Sequence, residues 1–288
     1  MPRTPYSYTS PHDPARDDDG LFGPASVTWR VMNSRIMWVA ITRALYLQAL
    51  HPRVVRGTLQ NAPAITEPAD AWARLRRTRK FIETRTFGTV AEAERAGRRV
   101  RKIHEGLTGT DPDGTRYRVD EPDLLLWVHC GEVASCADVA RRSRLPFSAA
   151  DLDAFVAEQR TSAELIGVSR AAAPASVAEL DAYYERIRPG LYACDEAKAA
   201  LRMSFHPPVP DGDWVLKLGL PPVSALAFAT LPGWARRMYG GPGGPLTDLA
   251  ATAGLGVTRL AFSQPRLFLG AMRAIHRAES AGERRAAR

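Results

Sequence analysis

Cysteine is scarce in this chain. Cys130, Cys136 and Cys194 are the only three, and no two form a C-x-x-C pair. That argues against a disulfide framework and against the commonest zinc and redox signatures. An odd thiol count in a chain of this size points to a reducing compartment, so a cytoplasmic location is expected. Cys130 and Cys136 stand six residues apart on one apolar segment and read as small buried hydrophobes. Long uncharged apolar runs are missing as well. The N-terminus has no apolar core of a secretory signal. Arg35 and Arg43 interrupt the apolar surface of residues 26–50, and Lys217 with Pro221-Pro222 interrupts residues 214–239, so no transmembrane span is expected. No internal repeat and no alternating strand pattern of useful length is found. Gly-x-Ser-x-Gly, His-Glu-x-x-His and paired Glu-x-x-His motifs are absent, which argues against hydrolase, zinc-protease and di-iron chemistry. Gly240-Gly-Pro-Gly-Gly-Pro245 reads as a linker, because it lacks a preceding strand and the lysine-hydroxyl ending of a phosphate loop.

What remains is a helical chain. Of 288 residues 45% are hydrophobic, enough for a sizeable core, and 39 basic against 31 acidic side chains give a net charge of +8. The arginines are interleaved with Asp and Glu and carry no aromatic-basic motif, so no nucleic-acid partner is expected. The reading is all-α and single-domain: a flexible leader over 1–20, a helical domain over 21–278 and a frayed tail over 279–288. Ser26 caps a helix reaching about Leu50, which His51-Pro52 ends because a residue before proline disfavours helix. Val54 to Asn61 is a short helical piece. Asp70 caps the next helix. Ser148-Ala-Ala-Asp151 and Ser176-Val-Ala-Glu179 each open another. Around Pro221-Pro222 the pattern gives a short segment before the prolines and a helix after them.

Chemistry concentrates between Trp72 and His129. In the helix from Trp72, Arg74, Arg77 and Thr78 sit at i, i+3 and i+4 on one face. Two guanidiniums and a hydroxyl suit an anionic ligand, and they equally describe a solvated basic face. Gly88-Thr89 breaks that helix, and Thr89 with Glu92 forms a capping box for the next. There Val100, Ile103 and Leu107 mark the apolar face, with His104 at its border. A neutral imidazole in that place either binds iron or zinc or simply packs. Thr110-Asp-Pro-Asp-Gly114 is a turn. Pro122 then opens a helix apolar nearly all round, so His129 is deep and needs a hydrogen-bond partner or a ligand. His51, at a helix end, either reaches into a pocket or interacts with the last carbonyls.

Several of these pieces resemble the MpaB-type and rubber oxygenase family, which includes the latex-clearing proteins. They are Phe22-Gly-Pro-Ala-Ser-Val-Thr-Trp-Arg30, Leu45-Tyr-Leu-Gln-Ala-Leu-His-Pro52, Arg74-Leu-Arg-Arg-Thr78, Arg98-Arg-Val-Arg-Lys-Ile-His104, Gly109-Thr-Asp-Pro-Asp-Gly114 and Leu124-Leu-Leu-Trp-Val-His129. The resemblance covers roughly residues 20 to 240. It implies an all-helical fold with a haem b pocket between helices and an oxygenase that uses dioxygen on apolar, isoprenoid or olefinic substrates. Carried over, His104 matches the axial iron ligand, while Arg74 and Thr78 match the distal arginine and threonine. Arg77 falls where the rubber-cleaving members carry a lysine that caps the iron. Arginine stays charged and is a very poor ligand, so that cap is not expected here. Arg74, Arg77 and Thr78 are therefore the expected catalytic residues, with His104, Arg101, His51 and His129 around the cofactor. A helical haem- or lipid-binding protein without turnover is the alternative.

Overall fold

A computed structural model describes residues 16–62, 67–206, 214–264 and 273–275. Among the described residues, twelve α-helices with full bounds, one two-stranded hairpin and one 3-10 turn make up the regular structure, and residues 273–275 are helical as well. The central element is α6 (Pro122–Arg142), which packs most extensively on α2 (Met37–Gln48). Its sequence explains that position. Leu124 to Trp127, Cys130, Val133, Cys136 and Val139 cover so much of the helix surface that only burial on several sides satisfies it. Trp127 is fully buried and its indole N–H donates to the Gln48 carbonyl at 2.9 Å. Around this pair lie α1 (Val27–Met32), α7 (Ala149–Leu165), α8 (Val177–Ile187) and α9 (Asp195–Phe205). The final described helices are α10 (Trp214–Ala229), α11 (Gly233–Met238) and α12 (Pro245–Ser263). The three cysteines are buried free thiols, Cys130 and Cys136 as expected.

Some boundaries differ from the sequence reading. The helix expected from Ser26 to Leu50 is two helices, because the chain leaves helical pairing after Asn33, which caps α1, and restarts at Met37. Arg43 does not interrupt an apolar surface. It is buried, donating to Ser135 Oγ at 2.7 Å and to the Thr230 carbonyl at 3.2 Å, with Asp138 3.5 Å away. Asp70 is not a cap: α4 (Pro68–Phe87) starts two residues earlier, and Asp70 sits in its first turn, where a carboxylate favours the positive end of the helix dipole. α10 runs through Pro221 and Pro222 instead of starting after them. The carbonyls that lose their donors belong to Lys217 and Leu218, both exposed, so water can take them. The turn at Thr110–Gly114 is the tip of a hairpin between β1 (Thr108–Thr110) and β2 (Arg116–Arg118), with Gly114 at φ +88°. Three-residue strands are too short to leave an alternation legible in sequence.

Of the expected leader, residues 16–20 are described, and they are anchored. Arg16 donates to the Phe87 carbonyl at 2.7 Å, and Asp18 accepts from the Val90 amide at 3.0 Å. The expected tail over 279–288 lies outside the described residues. No helix among the described residues is long and apolar enough to cross a membrane.

Candidate functional site

α4 and α5 (Val90–Glu105) form an antiparallel hairpin about Gly88–Thr89. The capping box is complete: Thr89 Oγ1 accepts from the Glu92 amide, and the Glu92 carboxylate accepts from the Thr89 amide. Counting back equally from this turn sets His104 opposite the neighbourhood of Arg74. On α4, Arg74, Thr78, Phe81 and Arg85 repeat at four, three and four residues and form one stripe. Its inner end is closed: Phe81 packs on the main core, and Arg85 is buried. Arg85 lies 5.5 Å from the Phe81 ring and pairs with Glu132 of α6. Its outer end, at Arg74 and Thr78, is exposed.

On α5 the inward stripe is Ala93, Gly97, Val100 and His104. Ala93 and Gly97 are buried, and a Cβ on Gly97 would come within 2.8 Å of the Leu165 carbonyl oxygen, so only glycine lets α5 lie this close to α7. Ile103, expected on the apolar face, is 54% exposed. The apolar face is therefore rotated toward His104, which is half-buried rather than marginal. Arg101 is committed elsewhere: it donates to the Leu165 carbonyl at 2.6 Å and ties α5 to the end of α7.

The imidazole of His104 is electrostatically prepared to be neutral. Burial pushes its pKa down, the Arg74 guanidinium pushes it further, and Asp120 opposes them. Its Nδ1 is buried with no hydrogen-bond partner. Arg74 has its own pKa lowered, by burial first and by Arg77 second. Yet its accessible surface is large. Solvent therefore reaches the guanidinium and screens its charge. Arg74, Arg77 and Thr78 make no hydrogen bond or ion pair among the described residues. Arg74, with Arg77 beside it and no counter-ion among the described residues, faces a neutral imidazole, and such a site gains from an anion.

The other two histidines occupy separate surroundings. His129 is buried on α6 and its pKa is pushed down to about 3, by burial first and Arg85 second. It makes no side-chain hydrogen bond among the described residues, which leaves its nitrogens to a ligand or to water. His51 precedes α3 (Pro52–Gln60) as its N-cap residue, 6.4 Å from the Trp127 ring, with Nδ1 buried and unpartnered. It lines a depression of about 390 Å³ with Arg53, Arg56, Asp111 and Tyr192. A second depression, about 280 Å³, lies between Phe22 and Arg170. Neither is lined by Arg74, Arg77, Thr78, His104 or His129. No group of three or more His, Cys, Asp or Glu side chains among the described residues could hold a bare metal ion.

The buried Arg85–Glu132 pair beside His129 was not anticipated. Its signal was present, since Arg85 falls eleven residues after Arg74 on the same stripe and Glu132 falls three after His129. Residues 29–261 match the family model described as "ER-bound oxygenase mpaB/B'/Rubber oxygenase, catalytic domain". No curated protein matches the chain. No solved structure matches it either.

Proposed function

Because the chain belongs to the MpaB and rubber oxygenase catalytic-domain family, we propose that it is a haem b-dependent oxygenase acting with dioxygen on an apolar, olefinic substrate. One observation carries the haem reading: the neutral, half-buried imidazole of His104, with Nδ1 unpartnered, opposite two arginines that lack counter-ions. The residues fit the group. His104 would hold the iron, and Arg74 and Arg77 would meet the two propionates or polarise bound oxygen. When bound, haem b supplies the redox chemistry that activates dioxygen. The chain does the rest. Burial and Arg74 keep His104 deprotonated through the neutral range. Thr78, one turn after Arg74, offers a hydroxyl donor on the same stripe. Trp72 and Leu75 of α4 pack with Leu216 and Leu220 of α10 and with Trp38, so an apolar cluster lies on the same helix as the arginines and suits a hydrocarbon neighbour.

The test is an absorption spectrum of the purified protein, oxidised and then reduced under carbon monoxide, followed by oxygen uptake with an olefin. A Soret band that His104→Ala abolishes, with oxygen consumed only when olefin is present, is the expected result. Colourless protein after expression with abundant haem overturns the reading. A haem spectrum without olefin-dependent oxygen uptake replaces it with a binding protein that has no turnover.

A further inference from the structure

α12 carries an exposed apolar stripe that the proposed oxygenase site does not use. Leu246, Leu249, Ala253, Val257 and Leu260 repeat at three or four residues, so they share one helical face about 20 Å long. Leu246 is 81% exposed, and Leu249, Val257 and Leu260 are each close to 70%. The opposite face, Ala251 and Leu255, is buried. No charge breaks the stripe. The two charged residues of α12 are committed elsewhere: Asp248 pairs with Arg236 at 2.8 Å, and Arg259 donates to the Arg144 carbonyl at 3.2 Å. α10, which packs beside it, exposes Leu218 to 68%. An apolar row of this length facing water lowers its free energy when covered.

The charge of the chain says what covers it. From Trp214 to the C-terminus the sequence has ten basic and three acidic side chains, against twenty-nine and twenty-eight before that point. Nearly all of the net charge of +8 therefore belongs to the part of the chain that bears the stripe. Two copies meeting face to face would bring like charges together, whereas an anionic bilayer attracts them. We propose that the outward face of α12 lies in the interface of an anionic phospholipid membrane as a monotopic contact, with basic side chains of this part of the chain, the exposed Lys217, Arg237 and Arg259 among them, supplying the attraction to the headgroups. The geometry is that of an amphipathic helix in the plane of the membrane. If the oxygenase reading holds, the contact also brings the enzyme to the phase in which an apolar olefin dissolves; the binding itself does not depend on that reading.

Flotation or co-sedimentation of the full chain with phosphatidylcholine vesicles, with and without phosphatidylglycerol, tests it with no activity assay. Binding is expected to the mixed vesicles and to weaken several-fold as salt rises. Leu249→Glu with Leu260→Glu is expected to cut it by at least about tenfold, since it removes two leucines from the buried face and sets two carboxylates against anionic headgroups. Circular dichroism should be unchanged, because both positions are exposed. Leu45→Glu, at a half-exposed apolar site away from the stripe, should leave binding intact. No binding to phosphatidylglycerol vesicles, or undiminished binding by the double variant, overturns the proposal. So does a dimer in light scattering that the double variant dissociates, which would assign the face to a second copy.

Discussion

Arg43 and Arg74 lie in the same fold and teach opposite lessons. Arg43 is buried between α2 and α6, and its guanidinium has a hydroxyl, a carbonyl and a carboxylate around it. Arg74 lies at the open end of the α4–α5 hairpin with another arginine and a neutral histidine for neighbours, and no counter-ion. The interior satisfies a charge because an unpaired one there costs several kcal/mol. The hairpin edge tolerates an unsatisfied pair because solvent reaches it, and the unused capacity is what a ligand can take up. Satisfied and unsatisfied charges are thus separated along the chain.

The largest effect should come from breaking the satisfied half. Arg43→Ala removes a donor to Ser135 and one of three arginine partners of Asp138 and leaves a cavity between α2 and α6, so chemical denaturation should show a loss of about 2–4 kcal/mol. A loss below about 1 kcal/mol would dissolve the contrast. Next, His129 is neutral in the folded state down to about pH 3 but ionises near 6.5 when unfolded. Its depressed pKa means stability is fully present above about pH 6.5 and is lost as pH falls toward 3. His129→Phe should flatten that part of the stability–pH curve, and an unchanged slope would show that other groups set it. The hairpin edge should behave the other way. His104→Ala should abolish haem binding and shift the melting temperature little, so a large destabilisation would make His104 a packing residue. Arg74→Gln should raise the pKa of His104 toward the ordinary imidazole value, read by NMR titration of haem-free protein, since Arg74 is the second cause of its depression. Arg77→Gln should shift it less, because Arg77 is not among the groups acting on His104.

Much of this was legible beforehand. The capping boxes at Thr89 and Ser148 depend only on residues three apart, and both formed. The opening of α6 at Pro122 and the burial of His129 followed from local composition. Partners distant in sequence were not legible. Arg101 looked like a neighbour of His104, yet its carbonyl partner is sixty-four residues away. Ile103 looked apolar and inward, yet the close approach of Gly97 to Leu165 turned α5 so that it faces out.

The amino-acid order alone therefore determined that the chain is helical, where most helices begin, and which imidazoles and guanidiniums share a helical face, because all of these depend on neighbours within about one turn. Which arginines are neutralised and which are left waiting was decided only when the helices packed. A charge is satisfied by what the fold brings beside it, and that neighbour is dozens of residues away along the chain.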